Sequence, residues 1–221
     1  MIKSAILANE IAEVFPIDLE IHEAIASVRR EDFLPKALWA HAYSLSALPI
    51  SNGQWISSPL SVAKMTQYLK PNGADSVLEI GLGSGYQAFI LSKLIRRVFS
   101  IERIAEIYNQ TQARFRALSA YNITTKLDDG QFGWEAFAPY DRILLSACIV
   151  KIPELIISQL QDGGILVSPI DLSNGNFMDL KISKASGHKQ VIARFVKRSG
   201  MLIGEVLEAC DFVPIIDGVL K

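Results

Sequence analysis

The chain has 221 residues, half of them hydrophobic and a fifth charged, with 22 basic side chains against 23 acidic ones. That length and apolar content suit one compact domain with a modest extension and exclude a disordered chain. The formal net charge of −1 leaves no basic stripe for duplex nucleic acid.

The longest apolar run, 143–150, is far too short to span a bilayer. The opening residues run straight into an amphipathic pattern with Asn9, Glu10 and Glu13, unlike a secretory signal, so a cytoplasmic protein is expected. Cys148 and Cys210 form no CxxC pair and read as reduced thiols. His22, His41 and His188 match no zinc spacing, so no metal site is expected. Oligomeric state leaves no signal in the sequence.

In chain order, Leu7, Ile11, Val14 and Phe15 fall near one helical face that Pro16 ends. Asp18 is placed to cap a second helix carrying Ile21, Ile25 and Val28. An irregular stretch follows to Gln54. Ser58-Pro59 then reads as N-cap and first residue of a helix to about Lys70. From Pro71-Asn72-Gly73 onward, short β-type runs alternate with helix-length segments. The runs are 76–81, 97–102, 124–128, 141–147 and 165–170; the helices are 85–95, 104–118 and 152–160. Such alternation means βαβ units and a mainly parallel, doubly wound Rossmann-like α/β sheet. Met178, Leu180 and Ile182, a Ser186-Gly187-His188 turn, and Val191, Ala193 and Phe195 predict a C-terminal antiparallel hairpin. The division expected is a helical cap with a substrate-side loop over 1–70 and the α/β core over 71–221.

The informative stretch is Val77-Leu78-Glu79-Ile80-Gly81-Leu82-Gly83-Ser84-Gly85-Tyr86, a strand entering a glycine turn and then a helix. In open α/β sheets ligands lie beyond the carboxyl ends of the strands, where this turn sits. Dinucleotide-binding turns are similar, but their fingerprint wants a glycine at the place of Tyr86. Glu79 sits badly with a pyrophosphate and suits the cationic end of S-adenosyl-L-methionine. Glu102 closes the second strand where an acid can grip ribose hydroxyls. Asp129, followed by Gly130, closes the third, where it could accept from an adenine amino group. Each acid alone could equally be a helix cap or a solvated strand end. Their recurrence at successive strand ends favours the adenosyl cofactor over NAD.

These residues lie within a longer set of motifs. Arg30-Glu31-Asp32-Phe33-Leu34-Pro35, Ala47-Leu48-Pro49-Ile50 and Gly53-Gln54-Trp55-Ile56-Ser57-Ser58-Pro59 precede the glycine turn, which continues into Gln87-Ala88. Ser100-Ile101-Glu102-Arg103, Asp129-Gly130 with Gly133-Trp134, Ile152-Pro153, Gln159-Leu160 with Gly163-Gly164, and Phe212-Val213-Pro214 follow it. Together they resemble the protein-L-isoaspartate O-methyltransferase family from roughly Ile21 to Pro214. The resemblance implies a class I methyltransferase that methylates the free α-carboxylate of isoaspartyl residues in aged proteins and peptides. The ester then closes to a succinimide that can reopen as aspartate. By position it implies Ser57 as the active-site serine, with Trp55, Ile56 and Ser58 beside the substrate. It implies cofactor contacts at Gly81, Gly83, Gly85, Glu102, Asp129 and Gly130.

A carboxylate at neutral pH is already a nucleophile, since its ordinary pKa is about 4, so no base or metal is required. Placement and water exclusion remain, and Ser57 can hold one carboxylate oxygen without competing as a base. A second capping role beside Ser58 is the alternative for that serine. The chain departs from the family at Trp55, where threonine is usual, at Ser44, Leu45 and Ser51, and over 146–151, which lacks a proline. Most of these changes fall on the acceptor side. They keep two alternatives in view: an offshoot methylating another carboxylate or a small molecule, and a cofactor-binding module without turnover.

Overall fold

The computed structural model describes residues 2–174, 177 and 189–221. Helices α1 (Ile2–Val14) and α2 (Leu19–Ala26) pack on each other and on α3 (Pro59–Leu69). On α1 the buried face is Ser4, Leu7, Ala8 and Ile11. Val14, expected on that face, is exposed at the last position of the helix. Asp18 stands at the N-cap of α2, yet its carboxylate caps nothing; its carbonyl accepts from Ile21 N and His22 N. Ser58 caps α3 through its hydroxyl, accepting from Ser61 N at 2.9 Å, with Pro59 in the first turn.

Strands β1 (Leu48–Pro49) and β2 (Trp55–Ile56) form a small ladder not foreseen from sequence, Leu48 opposite Ile56 and Pro49 opposite Trp55. The main sheet holds β3 (Ser76–Ile80), β4 (Arg97–Glu102), β5 (Ile123–Leu127), β6 (Tyr140–Leu145), β7 (Leu160–Asp171), β8 (Gln190–Arg198) and β9 (Met201–Ala209). Their order is β5-β4-β3-β6-β7-β8-β9. The first five pair in parallel, and β8 and β9 add two antiparallel strands, with β9 at the edge. Helices α4 (Tyr86–Leu91), α5 (Ala105–Ala117) and α6 (Glu154–Gln159) supply crossovers. This is the Rossmann-like, mainly parallel sheet that the alternation predicts.

Two details differ from expectation. The closing hairpin is β8–β9, turning at Ser199-Gly200, whereas its expected first arm at Met178, Leu180 and Ile182 lies outside the described residues, as does the 186–188 turn. Helix α4 stops at Leu91, four residues early, where the Ser92 hydroxyl donates back to Phe89 O at 2.7 Å.

Side chains alternate across the sheet as a two-residue period requires. Val77, Val98, Leu144 and Val167 join the core under α1 to α4; Leu78, Phe99, Ile143 and Leu166 join the opposite core, which α6 covers through Ile156. Each such side chain is fully or almost fully buried, a contribution of roughly 1.5–3 kcal/mol apiece. Covering both faces explains why these strands read as unbroken apolar runs. The chain runs outward from β3 to β4 and β5, then returns to β6 on the other side of β3. The crevice beyond the ends of β3 and β6 is therefore the topological switch point, where ligands of such sheets bind. Among the described residues no helix is long and apolar enough to cross a membrane. Cys148 and Cys210 are free thiols.

Candidate active site

At the switch point β3 turns through Gly81, Gly83 and Gly85 into α4. All three have positive φ, +97°, +52° and +83°, a region that a side chain disfavours. A Cβ on Gly85 would also lie 2.6 Å from the Phe115 ring and 2.7 Å from Thr111 Cγ2, so this glycine lets α4 close on α5. The turn is tied to β4 and α5. Gly81 N and Leu82 N each donate to Ile101 O at 3.0 Å, and Thr111 Oγ1 donates to Gly83 O at 2.7 Å. Arg114 donates to Ser84 O and, from its Nε, to Asp32 O, joining the turn to the N-terminal region.

The strand-end acids sit differently from one another. Glu102 lines the cavity; its Oε2 accepts from Gly83 N and its Oε1 from Arg103 N and Ile104 N, each at 2.9 Å. Glu79 is buried behind the wall. Its Oε2 accepts from Ser100 Oγ, and its Oε1 has no hydrogen-bond partner among the described residues. Burial pushes its carboxyl up to about 8, with the Ser100 and Ser146 hydroxyls pulling the other way and the Glu102 charge adding to the rise. Asp129 is also off the wall. Its Oδ1 accepts from Gln131 N at 3.0 Å and its Oδ2 from Gly218 N at 2.7 Å, while Gly130 beside it does line the cavity.

The partner of Asp129 belongs to a strap, residues 213–220, that the sequence reading reached only at Val213-Pro214. Main-chain bonds pin it at one flank to Cys148, which donates to Val213 O and accepts from Ile215 N, each at 2.8 Å. At the other flank Arg103 Nε donates to Gly218 O, Leu220 N to Arg103 O, and Ala105 N to Leu220 O. Between these pins, Val213 to Ile216 form one wall of a cavity of about 330 Å³. The glycine turn, Glu102, Gly130 and Ser146 form the others. A cavity bounded by a glycine turn, a strand-end acid and open backbone fits an adenosyl donor.

A second cavity of about 310 Å³ adjoins the first and shares Trp55, Ser57, Ser146 and Val213 with it. Trp55 stands at the shared rim, 54% exposed, and Ile56 lines the first cavity from a buried position. Ser58 lines the second while its hydroxyl caps α3. The Ser57 hydroxyl makes no hydrogen bond among the described residues, so the capping alternative for this serine is not used. Its carbonyl accepts from Arg30 Nη2 at 3.0 Å. The structure thus gathers Trp55, Ile56, Ser57, Gly81, Gly83, Glu102 and Gly130 on the walls, and sets Glu79, Gly85 and Asp129 behind them.

Sheet order and glycine turn together define a class I methyltransferase fold. The family profile described as Protein-L-isoaspartate(D-aspartate) O-methyltransferase (PCMT) matches residues 1–220, and the chain belongs to that family. A protein-L-isoaspartate O-methyltransferase of Helicobacter pylori (strain P12) is 48% identical over 219 residues, covering 99% of this chain and 98% of its own. One from Maricaulis maris (strain MCS10) is 40% identical over 201 residues, covering 91% and 88%. Two solved structures share the fold at under a quarter identity. One protein-L-isoaspartate O-methyltransferase has a TM-score of 0.84 and 23% identity, covering 97% of this chain; this chain spans only 66% of it. A Plasmodium falciparum protein so described, solved with S-adenosyl-L-homocysteine, has a TM-score of 0.80 and 19% identity, covering 96% and 98%.

Proposed function

We propose that this chain methylates the free α-carboxylate of L-isoaspartyl residues in damaged proteins and peptides, with S-adenosyl-L-methionine as donor. The observation that carries this reading is the uncommitted Ser57 hydroxyl at the junction of the two cavities. When bound, the donor supplies a methyl group already activated by a positively charged sulfur. Glu102 already holds Gly83 N, Arg103 N and Ile104 N, which leaves one lone-pair site on Oε2 that would accept from a ribose hydroxyl. Gly130 would offer backbone to the adenine end, and the glycine turn with Ser146 would line the methionine end. Ser57 donates to one oxygen of the acceptor carboxylate and leaves the other free to attack. Ile56, Trp55 and the strap exclude water. Alignment of this kind is worth up to about 7–11 kcal/mol, and no general base is needed because the acceptor carboxylate is already ionised at neutral pH.

Incubating the protein with labelled donor and an isoaspartyl peptide, beside its aspartyl twin, should give methyl ester with the isoaspartyl form alone. Equal methylation of both, or none, overturns the reading. Ser57→Ala is expected to lower kcat about 10–100-fold with donor affinity unchanged, as for loss of one positioning hydrogen bond. The half-exposed Trp55 supports a second reading, an acceptor other than an isoaspartyl peptide. Under it, Trp55→Thr should raise activity on isoaspartyl peptide from a low starting value. The main reading also takes the protein to be cytoplasmic and without a nucleic-acid partner, in keeping with its balanced charge and paucity of cysteine.

A further inference from the structure

Arg30 opens the short 3-10 turn Arg30–Phe33 and has no exposed surface. Among the described residues no carboxylate pairs with it. Its Nη1 donates to Ala42 O at 2.8 Å and Ser44 O at 3.3 Å, and its Nη2 to Ser46 O at 3.3 Å and Ser57 O at 3.0 Å. Its Nε donates to nothing among the described residues, and the Tyr86 ring centroid lies 5.7 Å from Cζ. Burial lowers its pKa to about 10, which leaves it charged at neutral pH. A cation buried without a counter-ion is costly, and the four backbone carbonyls it satisfies offset part of that cost. What the guanidinium adds to bracing is its charge.

The second cavity has a use for that charge. Among the described residues its wall bears no lysine or arginine, and Asp211 stands on it. A carboxylate entering there before the donor binds meets serine hydroxyls and an opposing acid, with no cationic side chain on the described wall to attract it. Arg30 lies one peptide carbonyl behind Ser57, in an interior where screening is weak. Arg103, on the wall of the first cavity, is engaged with the strap at Gly218 O.

We infer that Arg30 is a positioning residue that makes the acceptor site select an anion: it fixes Ser57 through the Ser57 carbonyl and supplies the positive potential that favours a carboxylate over its neutral counterpart. This rests on the acceptor reading above. The carbonyls of Ala42, Ser44 and Ser46 set the direction of the guanidinium, and the Tyr86 ring backs it on the donor side.

The test is calorimetric titration of the wild-type protein, Arg30→Lys and Arg30→Met with an isoaspartyl peptide and with the same peptide carrying an α-carboxamide. Wild type should prefer the acid by about tenfold or more, the scale of one charge interaction in a partly desolvated site. Arg30→Met should lose that preference and Arg30→Lys should keep part of it. Affinity for S-adenosyl-L-homocysteine should stay within about twofold in all three, as for sites that are not coupled. An undiminished acid preference in the variants overturns the inference. So does a wild type that binds acid and amide alike, a measurement that stands even if neither variant folds. A wild type that forms no ester from the acid peptide sinks the acceptor reading itself; ester formation with an unchanged preference in the variants sinks only the role of Arg30.

Discussion

Glu79 carries the sharpest consequence at the level of a single side chain. In the unfolded chain its carboxyl ionises near 4.5, whereas in the fold burial raises it to about 8. Between those values the unfolded state has released a proton that the native state still holds. Stability from this group is therefore complete below about 4.5, falls as pH rises through the window, by at most about 1.4 kcal/mol per pH unit, and is flat above about 8. Glu79→Gln, neutral throughout, should flatten the curve of urea midpoints measured from pH 5 to 8. A variant whose slope matches that of the wild type would mean that Glu79 is ionised in the native protein. The buried Arg30 is the complementary case, a charge retained because its neighbours are carbonyls that welcome it.

The glycine turn and its flanking strand and helix form the element on which the site depends. Gly85→Ala would force a Cβ into the Phe115 ring while holding a left-handed φ. The expected cost is about 2–4 kcal/mol, combining the backbone penalty with overpacking between α4 and α5. Chemical denaturation should show it as a lowered midpoint with unchanged slope; a loss under about 0.5 kcal/mol would mean that the two helices part easily. This element was legible because its signals are local. Apolar runs mark strands buried on both faces, and three glycines in five residues mark a turn that side chains disfavour. Ser58-Pro59 opened α3 as expected for the same reason. Strand β9 was missed because it is an edge strand with Met201 and Ile203 exposed, so its pattern is weak. The Arg30 cluster was illegible for another cause: its four acceptors are backbone carbonyls, which every residue type offers alike.

Across the whole molecule, the strap over 213–220 joins parts of the chain that sequence cannot relate. Arg103 meets Gly218 across 115 residues, and Asp129 meets Gly218 across 89. Asp129→Ala removes the acceptor for Gly218 N and the cap over Gln131 N together. Losing a charged hydrogen bond of this kind should speed dissociation of S-adenosyl-L-homocysteine about tenfold, measured by stopped-flow fluorescence. An unchanged rate would show that the strap is held without Asp129. The strap also bears on how the protein is made. Every other wall of the first cavity precedes it in sequence, from Gly53 to Ala147. As the chain leaves the ribosome, the sheet and helices can settle in turn, but the chamber stays open on one side until the residues through Leu220 have emerged and laced themselves to Cys148 and Arg103. Nascent chains short of that point should fold without retaining the nucleoside, so vectorial synthesis separates the birth of the scaffold from the birth of the site.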